Sequence, residues 1–496
     1  MRSKTGKAHR TAGKHHSKHK HRKSTGGPPT RRHRLHKPPG ISLIGGGAGG
    51  EPVTPQSPMS AEMVYRLFWR AGFGPSATDL ATWTGRTVSA AVDWLLGTPG
   101  GAAGVPGTDQ GSALDPTGND TDLVLSWIDQ MVRATNPFVE RMTFFWHRHW
   151  ANSREQVSPP QLLMTQNQLF RSYADFAASP AATFKNLAYA VTIDPSMLRY
   201  LTGELNVRGA PNENYARELM ELFTLGVLNG AGQPNYSQTD VEQMAKALSG
   251  WQINDTNPDA VTSYFTQARW YDGPKLVFGQ FGNFTYTDAV DLVLAHPAHP
   301  AFITGALWNE FIVDPPDAPT LQQLTSTYSS SGFQLVPVLQ QILTHPALFD
   351  SVEEPNMIKP PVVYVVGAMR ALGVGVTDST AADYLDAMGQ TPYFPPNVSG
   401  WEGGLSWLNT DTALARFSFI SALLADTSIA DVPGEGADAA YNRAFAATGQ
   451  PWLAPGTQTA IRGFADGAGS STAEKRKERQ IALRALMLAG PDAQVM

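Results

Sequence analysis

The chain of 496 residues contains no cysteine. Disulfide bridges, thiolate zinc sites, iron–sulfur ligation and a cysteine nucleophile are therefore excluded. Charged residues are scarce, at 16% of the chain, against about 25% in typical soluble domains. No apolar run approaches the roughly 20 residues of a membrane-spanning helix. Hydrophobic residues still make up 42% of the chain, which is enough for a sizeable core.

The sequence also lacks the short motifs that mark several enzyme classes. There is no G-x-S-x-G nucleophile motif, no Walker loop for phosphates and no H-E-x-x-H metal motif. No motif therefore assigns a reaction, and any function has to be argued from individual polar and aromatic residues.

The first 40 residues carry 13 Lys/Arg and seven His but no acid. Because the whole chain has 38 basic and 43 acidic residues, the remainder holds 25 basic against 43 acidic ones. The segment is too polar to offset its ordering entropy, so we predict a disordered basic tail and a Gly/Pro-rich linker over residues 1–58. The tail is expected to bind polyanions. A solvated tail without a partner is the alternative.

The pair Arg31-Arg32 resembles the start of a twin-arginine export signal. Such a signal requires an apolar stretch and a cleavage site after the arginines. Only the four residues 41–44 are apolar enough, and glycines follow them. The sequence thus gives no convincing signal peptide, and a cytoplasmic and an exported location both stay open.

From Met59 onward, apolar residues recur at helical spacing, and alternating strand patterns are scarce. We predict a mainly α protein, with one large multi-helix domain over residues 59–490. The 46 glycines and 37 prolines of the whole chain indicate long Pro/Gly-rich loops. An arrangement in two lobes is also compatible with the pattern.

Several segments resemble, in order, a bacterial family named domain of unknown function 1800. The clearest are residues 67–74 (LFWRAGFG), 141–150 (RMTFFWHRHW), 212–227 (NENYARELMELFTLGV) and 395–404 (PPNVSGWEGG). The resemblance extends from about residue 60 to 490 and implies a helical fold without an assigned chemistry. Genes of that family commonly lie beside those of domain of unknown function 1501, whose members resemble sulfatases or alkaline phosphatases. The resemblance therefore implies a hydrolase-like partner.

The predicted helix over 212–228 carries the first group of candidate site residues. Glu213 and Arg217 are four positions apart on the face opposite the apolar one, and Asn214 and Glu218 lie along its edge. In one interpretation Glu213 and Arg217 form an ordinary surface ion pair. In the other, the polar face lines a pocket, with Glu213 or Glu218 as general base and Arg217 and Asn214 as ligand contacts.

The loop over 394–409 carries the second group. Its glycines allow close backbone approach, and Trp401 and Trp407 offer flat apolar faces to a ligand. Asn409 or Thr410 can cap the next helix, on which Arg416 follows about two turns later. Apart from Thr410, these residues are candidate ligand contacts, although tryptophans that simply fill core are the alternative.

We predict that the 212–228 helix and the 394–409 loop face one another and form the main pocket. Arg217 and Arg416 would anchor an anion or a carbonyl, since arginine holds planar anions in a bidentate manner.

Histidines outside the tail are few, and two of them stand close together. His147 and His149 lie in a predicted helix over 137–151, where positions two apart point about 200° from each other, so they cannot share one metal. A composite divalent-metal site of His149, His296 and a carboxylate is the remaining option, because catalytic zinc takes three protein ligands. Otherwise His149 is a core residue packed among aromatics.

Two functions remain open. In the first, the chain is a binding or assembly protein that acts with a hydrolase-like partner of domain of unknown function 1501. In the second, it is a hydrolase that uses a glutamate base, with or without a metal, in the predicted pocket.

Overall fold

The computed structural model describes residues 52–102, 114–179, 182–257, 260–425 and 427–496. Residues 1–51, and with them most of the predicted basic tail, lie outside the described residues. Helices dominate the described part, which confirms the prediction of a mainly α protein. In that part, no helix combines the length and the apolar character that crossing a membrane requires.

The first eight helices begin mostly at side chains that accept a hydrogen bond from the first turn, as at Ser60, Ser76, Thr87 and Asp194. Such caps satisfy backbone N–H groups that have no partner within the helix. The helices are α1 (Ala61–Arg70), α2 (Ala77–Trp83), α3 (Val88–Gly97), α4 (Asp120–Arg133), α5 (Pro137–His149), α6 (Pro160–Ala174), α7 (Phe184–Thr192) and α8 (Pro195–Tyr200).

The middle of the chain contains two small antiparallel hairpins that the sequence pattern did not indicate. In the first hairpin Trp251 pairs with Phe265, and in the second Lys275 pairs with Gly282. Each strand is only three or four residues long, too short for a visible alternation. The elements are α9 (Asn214–Glu218), a π-helix (Leu219–Thr224), α10 (Gln238–Ala247), β1 (Trp251–Asn254), β2 (Thr262–Phe265), β3 (Lys275–Val277) and β4 (Gln280–Gly282).

The remaining helices complete the structure. Several start with proline in their first turn, where its missing N–H costs no hydrogen bond. They are α11 (Tyr286–Leu294), α12 (His299–Phe311), α13 (Ala318–Ser330), α14 (Val336–Leu343), α15 (Pro361–Leu372), α16 (Thr380–Ala387), α17 (Thr410–Ala425), α18 (Ala437–Ala447), α19 (Pro455–Gly467) and α20 (Ala473–Ala489).

The helix predicted over 212–228 is shorter and less regular than expected. It is α-helical only over Asn214–Glu218 and continues as the π-helix Leu219–Thr224. At its end the N–H groups of Leu225 and Gly226 both bond to the carbonyl of Met220. Gly226 has φ +76°, a left-handed conformation that ends the helix and that glycine adopts without strain.

Two large hydrophobic clusters form most of the core, and α5 contributes to both. Met142, Phe145 and Trp146 belong to the first cluster, whereas Phe144 belongs to the second. Every residue of α5 from Pro137 to His147 is buried. The helix is therefore a wall between the two clusters and not a surface helix with one apolar face.

The structured part begins earlier than residue 59, the predicted start of the domain. The N–H groups of Met59 and Val88 bond to the carbonyls of Arg86 and Ser57, and that of Ser89 to Pro55. The last residues of the predicted linker thus hold the connection between α2 and α3. Ordered contacts with the helical part therefore begin at about residue 54, a few residues before the predicted start of the domain.

Candidate functional site

The polar group predicted on the 212–228 helix is an ion pair tied to the next helix. Arg217 Nη2 lies 2.9 Å from Glu213 Oε2. Gln238, at the start of α10, donates to the same carboxylate at 2.9 Å and accepts from Arg217 at 3.0 Å. The pair is partly exposed, so its Coulomb attraction is worth only about 0.3–0.5 kcal/mol. Its effect is to attach α9 to α10, which agrees with the surface ion-pair interpretation.

Glu218 and Glu221 form a carboxylate pair along the edge of this segment. Partial burial raises the pKa of Glu218, the charge of Glu221 raises it further, and Arg217 opposes both effects. Tyr236 donates its hydroxyl to Glu221 Oε2 at 2.9 Å. A raised pKa makes a carboxylate a stronger base, so Glu218 has the chemical property that the hydrolase hypothesis needs.

Asn214, the fourth predicted residue of this segment, serves a local structure. Its side-chain amide donates to Thr202 Oγ1 at 3.0 Å, and its backbone N–H donates to Asn212 Oδ1 at 3.0 Å. These contacts fix the chain at the start of α9. The side chain of Asn214 is exposed.

Two histidines, the partly exposed His149 and the fully buried His299, close the end of the π-helix. His149 Nε2 lies 2.8 Å from the carbonyl of Phe223, and His299 Nδ1 lies 3.1 Å from that of Thr224. Carbonyls at a helix end have no donor within the helix, so each imidazole donates its N–H there. Burial lowers the pKa of both histidines to about 4. Both histidines are therefore neutral at pH 7, and each carries a single N–H, which it donates to its carbonyl.

His147 lies on the other side of α5 and serves different neighbours. Its Nε2 accepts a hydrogen bond from the N–H of Tyr393 at 3.1 Å, and its ring packs against Trp127 and Trp401. Burial lowers its pKa to about 3. Because α5 is continuous through His149, the two histidines point to different clusters, as their spacing predicted.

The composite metal site predicted from His149, His296 and a carboxylate is not formed in the part of the chain that the structure describes. No group of three His, Asp or Glu side chains there is arranged to hold a metal. His149 is occupied by the Phe223 carbonyl. His296 accepts from the N–H of Ala298 at 3.2 Å and packs beside Phe278.

The residues predicted in the 394–409 loop are packed into the second cluster. Trp401 and Trp407 are both buried there, with Trp401 stacked on Phe144. Asn409 caps α17, since its Oδ1 accepts from the N–H of Thr412 at 2.9 Å. Both tryptophans thus fill core, which is the alternative weighed for them.

Arg416 is almost completely buried, at 1% exposure. It donates to the carbonyl of Lys359 at 2.8 Å and to Gln494 Oε1 at 3.2 Å. Arg217 has other partners, and no hydrogen bond, ion pair or ring contact of the described residues joins the 212–228 and 394–409 segments. Both segments instead contact α5, through His149 and His147. The facing arrangement of the two predicted halves of the pocket therefore stays a prediction.

An open groove beside the π-helix involves one predicted residue, His296. Two adjacent pockets of about 850 and 660 Å³ share four lining residues, so they form one continuous depression. We call it the His296 groove, and it is lined among others by Leu228, Pro234, Asn235, Leu276, His296 and Pro297. Glu213, Arg217 and Glu218 do not line it.

The sequence pattern did not indicate the role of His299. His299 is fully buried and also accepts the hydroxyl of Tyr328 at 2.9 Å through Nε2. The signal in the sequence was its position at the start of the apolar helix α12, where a histidine has access to both the core and a neighbouring helix end. Its partner carbonyl lies 75 residues earlier in the chain, which spacing within one segment does not show.

Comparison with known proteins adds a family but no activity. A family model described as "Protein of unknown function (DUF1800)" matches residues 66–495. No curated protein and no solved structure matches the chain.

Proposed function

This chain belongs to the DUF1800 family, and on that basis we propose that it is a binding and assembly protein that docks a partner in the His296 groove. The observation that carries the proposal is the groove itself, which is open, continuous and partly apolar. Leu228 is 56% exposed and Leu276 is 46% exposed on its lining. Apolar side chains exposed together in a depression are typical of interaction sites.

Polar groups with fixed positions surround the apolar side chains. Asn235 donates to the carbonyls of Leu225 and Gly226 at 2.9 and 3.0 Å, which holds the loop after the π-helix. Asp240 caps α10 and accepts from the N–H of Phe278 at 2.8 Å, which holds the hairpin side. The walls are thus held by internal hydrogen bonds, and a preorganised surface of this kind loses little entropy when a partner binds.

We propose a hydrolase-like protein of the DUF1501 family as the partner, as the family's gene neighbourhood implies. An apolar segment of the partner would enter the groove. Beyond its first 40 residues the chain has 25 basic and 43 acidic side chains, so a basic rim around that segment would favour association.

The test measures the affinity of a purified DUF1501-family partner for the wild-type chain and for the double variant Leu228→Asp/Leu276→Asp. We expect the variant to bind at least about tenfold more weakly, because a carboxylate in an apolar contact is costly to desolvate. Leu414→Asp is the matched control, since Leu414 is 65% exposed but does not line the groove. Equal affinity of all three proteins would contradict the proposal.

The second candidate is a hydrolase that uses Glu218 as general base. The observation in its favour is the raised pKa of Glu218, which partial burial and the charge of Glu221 cause, since a carboxylate with a raised pKa is a stronger base. The test measures turnover of an ester, phosphate or sulfate substrate. If Glu218→Gln loses this turnover and Leu228→Asp/Leu276→Asp keeps it, the hydrolase proposal replaces the binding proposal.

A further inference from the structure

A second cavity lies between α1, α15 and α20, formed by residues that the groove does not involve. Its volume is about 430 Å³, within the range of small-molecule sites. Its lining is mainly apolar and aromatic and includes Tyr65, Trp69, Phe73, Tyr364, Lys359 and Leu488. We call it the Lys359 cavity.

Lys359 is buried at 2% exposure although it lines this cavity. Its ammonium nitrogen donates to the carbonyl of Ala493 at 2.9 Å and lies 3.6 Å from the ring centroid of Trp69. Among the described residues it forms no ion pair with a carboxylate. A lysine has three N–H donors, so this one has donors to spare next to an aromatic-lined space.

A second buried cation stands beside it. Arg416 donates to the backbone carbonyl of Lys359 at 2.8 Å and stacks over Tyr364. In the described ranges Arg416 likewise has no carboxylate partner, only the neutral oxygens of Lys359 and Gln494. Buried lysine and arginine side chains in proteins are normally paired with an acid, and neither Lys359 nor Arg416 has one among the described residues. Lys359 therefore marks the end of the cavity at which a carboxylate would find a partner.

The aromatic wall of the cavity is held rigidly. A Cβ atom built on Gly367 would lie 2.3 Å from Trp69 Cη2, and one on Gly74 would lie 2.6 Å from Trp69 Cε2. The indole of Trp69 therefore packs closely between these two glycines. Trp69 and Gly74 lie in the 67–74 segment on which the family resemblance first rested.

We propose that the Lys359 cavity binds a small apolar carboxylate, with its hydrocarbon part against the aromatic wall and its carboxylate on the Lys359 ammonium. A bound anion would supply the missing counter-charge, and the apolar lining would favour a hydrocarbon chain or ring over a sugar or a phosphate.

The charge state of Lys359 offers a specific signature of such binding. Burial, and then the charge of Arg416, lower the pKa of Lys359 far below its ordinary value. The phenols of Tyr65 and Tyr364 face the same space and stay neutral, because burial raises the pKa of both. The charge of Asp492 also raises the pKa of Tyr65. Nearby, Arg70 donates a hydrogen bond to the carbonyl of Met496. When a carboxylate binds beside the Lys359 amine, the amine should therefore take up a proton from the buffer.

The experiment titrates the full chain with octanoate and, separately, with 1-octanol in a calorimeter at pH 8. Two buffers of different ionisation enthalpy report proton uptake. We expect saturable octanoate binding with uptake of up to one proton, and octanol binding that is at least about tenfold weaker, without uptake, since a charge-assisted hydrogen bond is lost. In Lys359→Met, octanoate should lose this advantage while octanol binding is kept.

Three results would overturn the proposal. Octanoate and octanol would bind equally without proton uptake if the cavity were merely apolar. Octanoate would show no saturable binding if the cavity did not admit it. Lys359→Met would bind octanoate as the wild type does if the amine were not the anchor. If that variant does not fold, the comparison of the two ligands and the two buffers on the wild-type chain decides alone.

Discussion

Asp194 shows how strongly burial alone sets the properties of a single residue in this protein. Its carboxyl group is buried in a polar network, where Gln166 donates to it at 2.8 Å and the N–H of Met197 at 3.0 Å. Neither partner is charged. Desolvation therefore dominates and raises the pKa of Asp194 to about 7, against about 3.9 for an exposed aspartate.

We predict that Asp194→Asn weakens the pH dependence of stability. Below about pH 4 the aspartate is protonated in both states. As the pH rises towards 7, the unfolded chain releases this proton while the folded chain still holds it, so stability falls. The asparagine variant lacks this loss and keeps the acceptor oxygen. Its advantage over the wild type should grow by about 2–3 kcal/mol from pH 5 to pH 8 in urea unfolding. An advantage that stays constant with pH would show that Asp194 titrates normally.

At the same scale, the sequence predicted residue environments better than residue roles. The opposite directions of His147 and His149 followed from helical geometry alone. The contacts of Lys359 did not follow in this way, although it is the single charged residue in the apolar run 357–369. Its partners, Trp69 and Ala493, come from the two ends of the chain, and nothing local in the sequence brings them together.

Among the elements, regular helices were predictable and the π-helix was not. The helix expected over 137–151 is observed over Pro137–His149, since its start is marked by an asparagine cap and a proline. The segment after Glu218 is different. Its i→i+5 bonding leaves carbonyls that His149 and His299 cap from two distant helices, so this geometry depends on tertiary contacts.

Gly367 in helix α15 allows a test of the close packing of Trp69 between the two glycines. In a helix interior, glycine to alanine normally stabilises by about 1 kcal/mol. We expect Gly367→Ala to do the opposite and to destabilise by about 1–3 kcal/mol, because the new methyl group overlaps the indole of Trp69.

Gly305→Ala is the matched control. Gly305 lies inside α12, and a Cβ atom there meets no other atom within 4 Å, so this variant should gain up to about 1 kcal/mol. Both are measured by chemical unfolding, with tryptophan fluorescence as a second readout. A gain in both variants would show that Trp69 moves away without cost.

For the whole molecule, the mainly α architecture was predictable because helical periodicity recurs along the chain. The division of the core into two clusters was not predictable, because each cluster combines segments that lie far apart in the sequence. Trp69, near the start, and Tyr364 share the second cluster, whereas Phe68, next to Trp69, belongs to the first. The predicted pocket depends on the same long-range packing, since each of its two segments contacts α5 and no local pattern places one relative to the other.

The start of the folded part gives a whole-molecule prediction. Deletion of residues 1–51 should leave the free energy of unfolding nearly unchanged and abolish any salt-sensitive binding to a polyanion such as heparin. Deletion of residues 1–58 should cost about 2 kcal/mol more, because the hydrogen bonds of Pro55, Ser57 and their neighbours to the α2–α3 connection are lost. Equal stability of the two truncated chains would show that these hydrogen bonds contribute nothing to the free energy of unfolding.

The position of α5 between two packed clusters has a consequence for how the protein tolerates sequence change. A helix at a surface has an outer face on which substitutions are nearly neutral, and it can shift outward to accommodate a larger side chain. Helix α5 has neither option from Pro137 to His147. An enlarged residue on one side presses the helix against the tight packing on the other. This stretch should therefore accept fewer substitutions in a saturation library than any equally long surface helix of the chain.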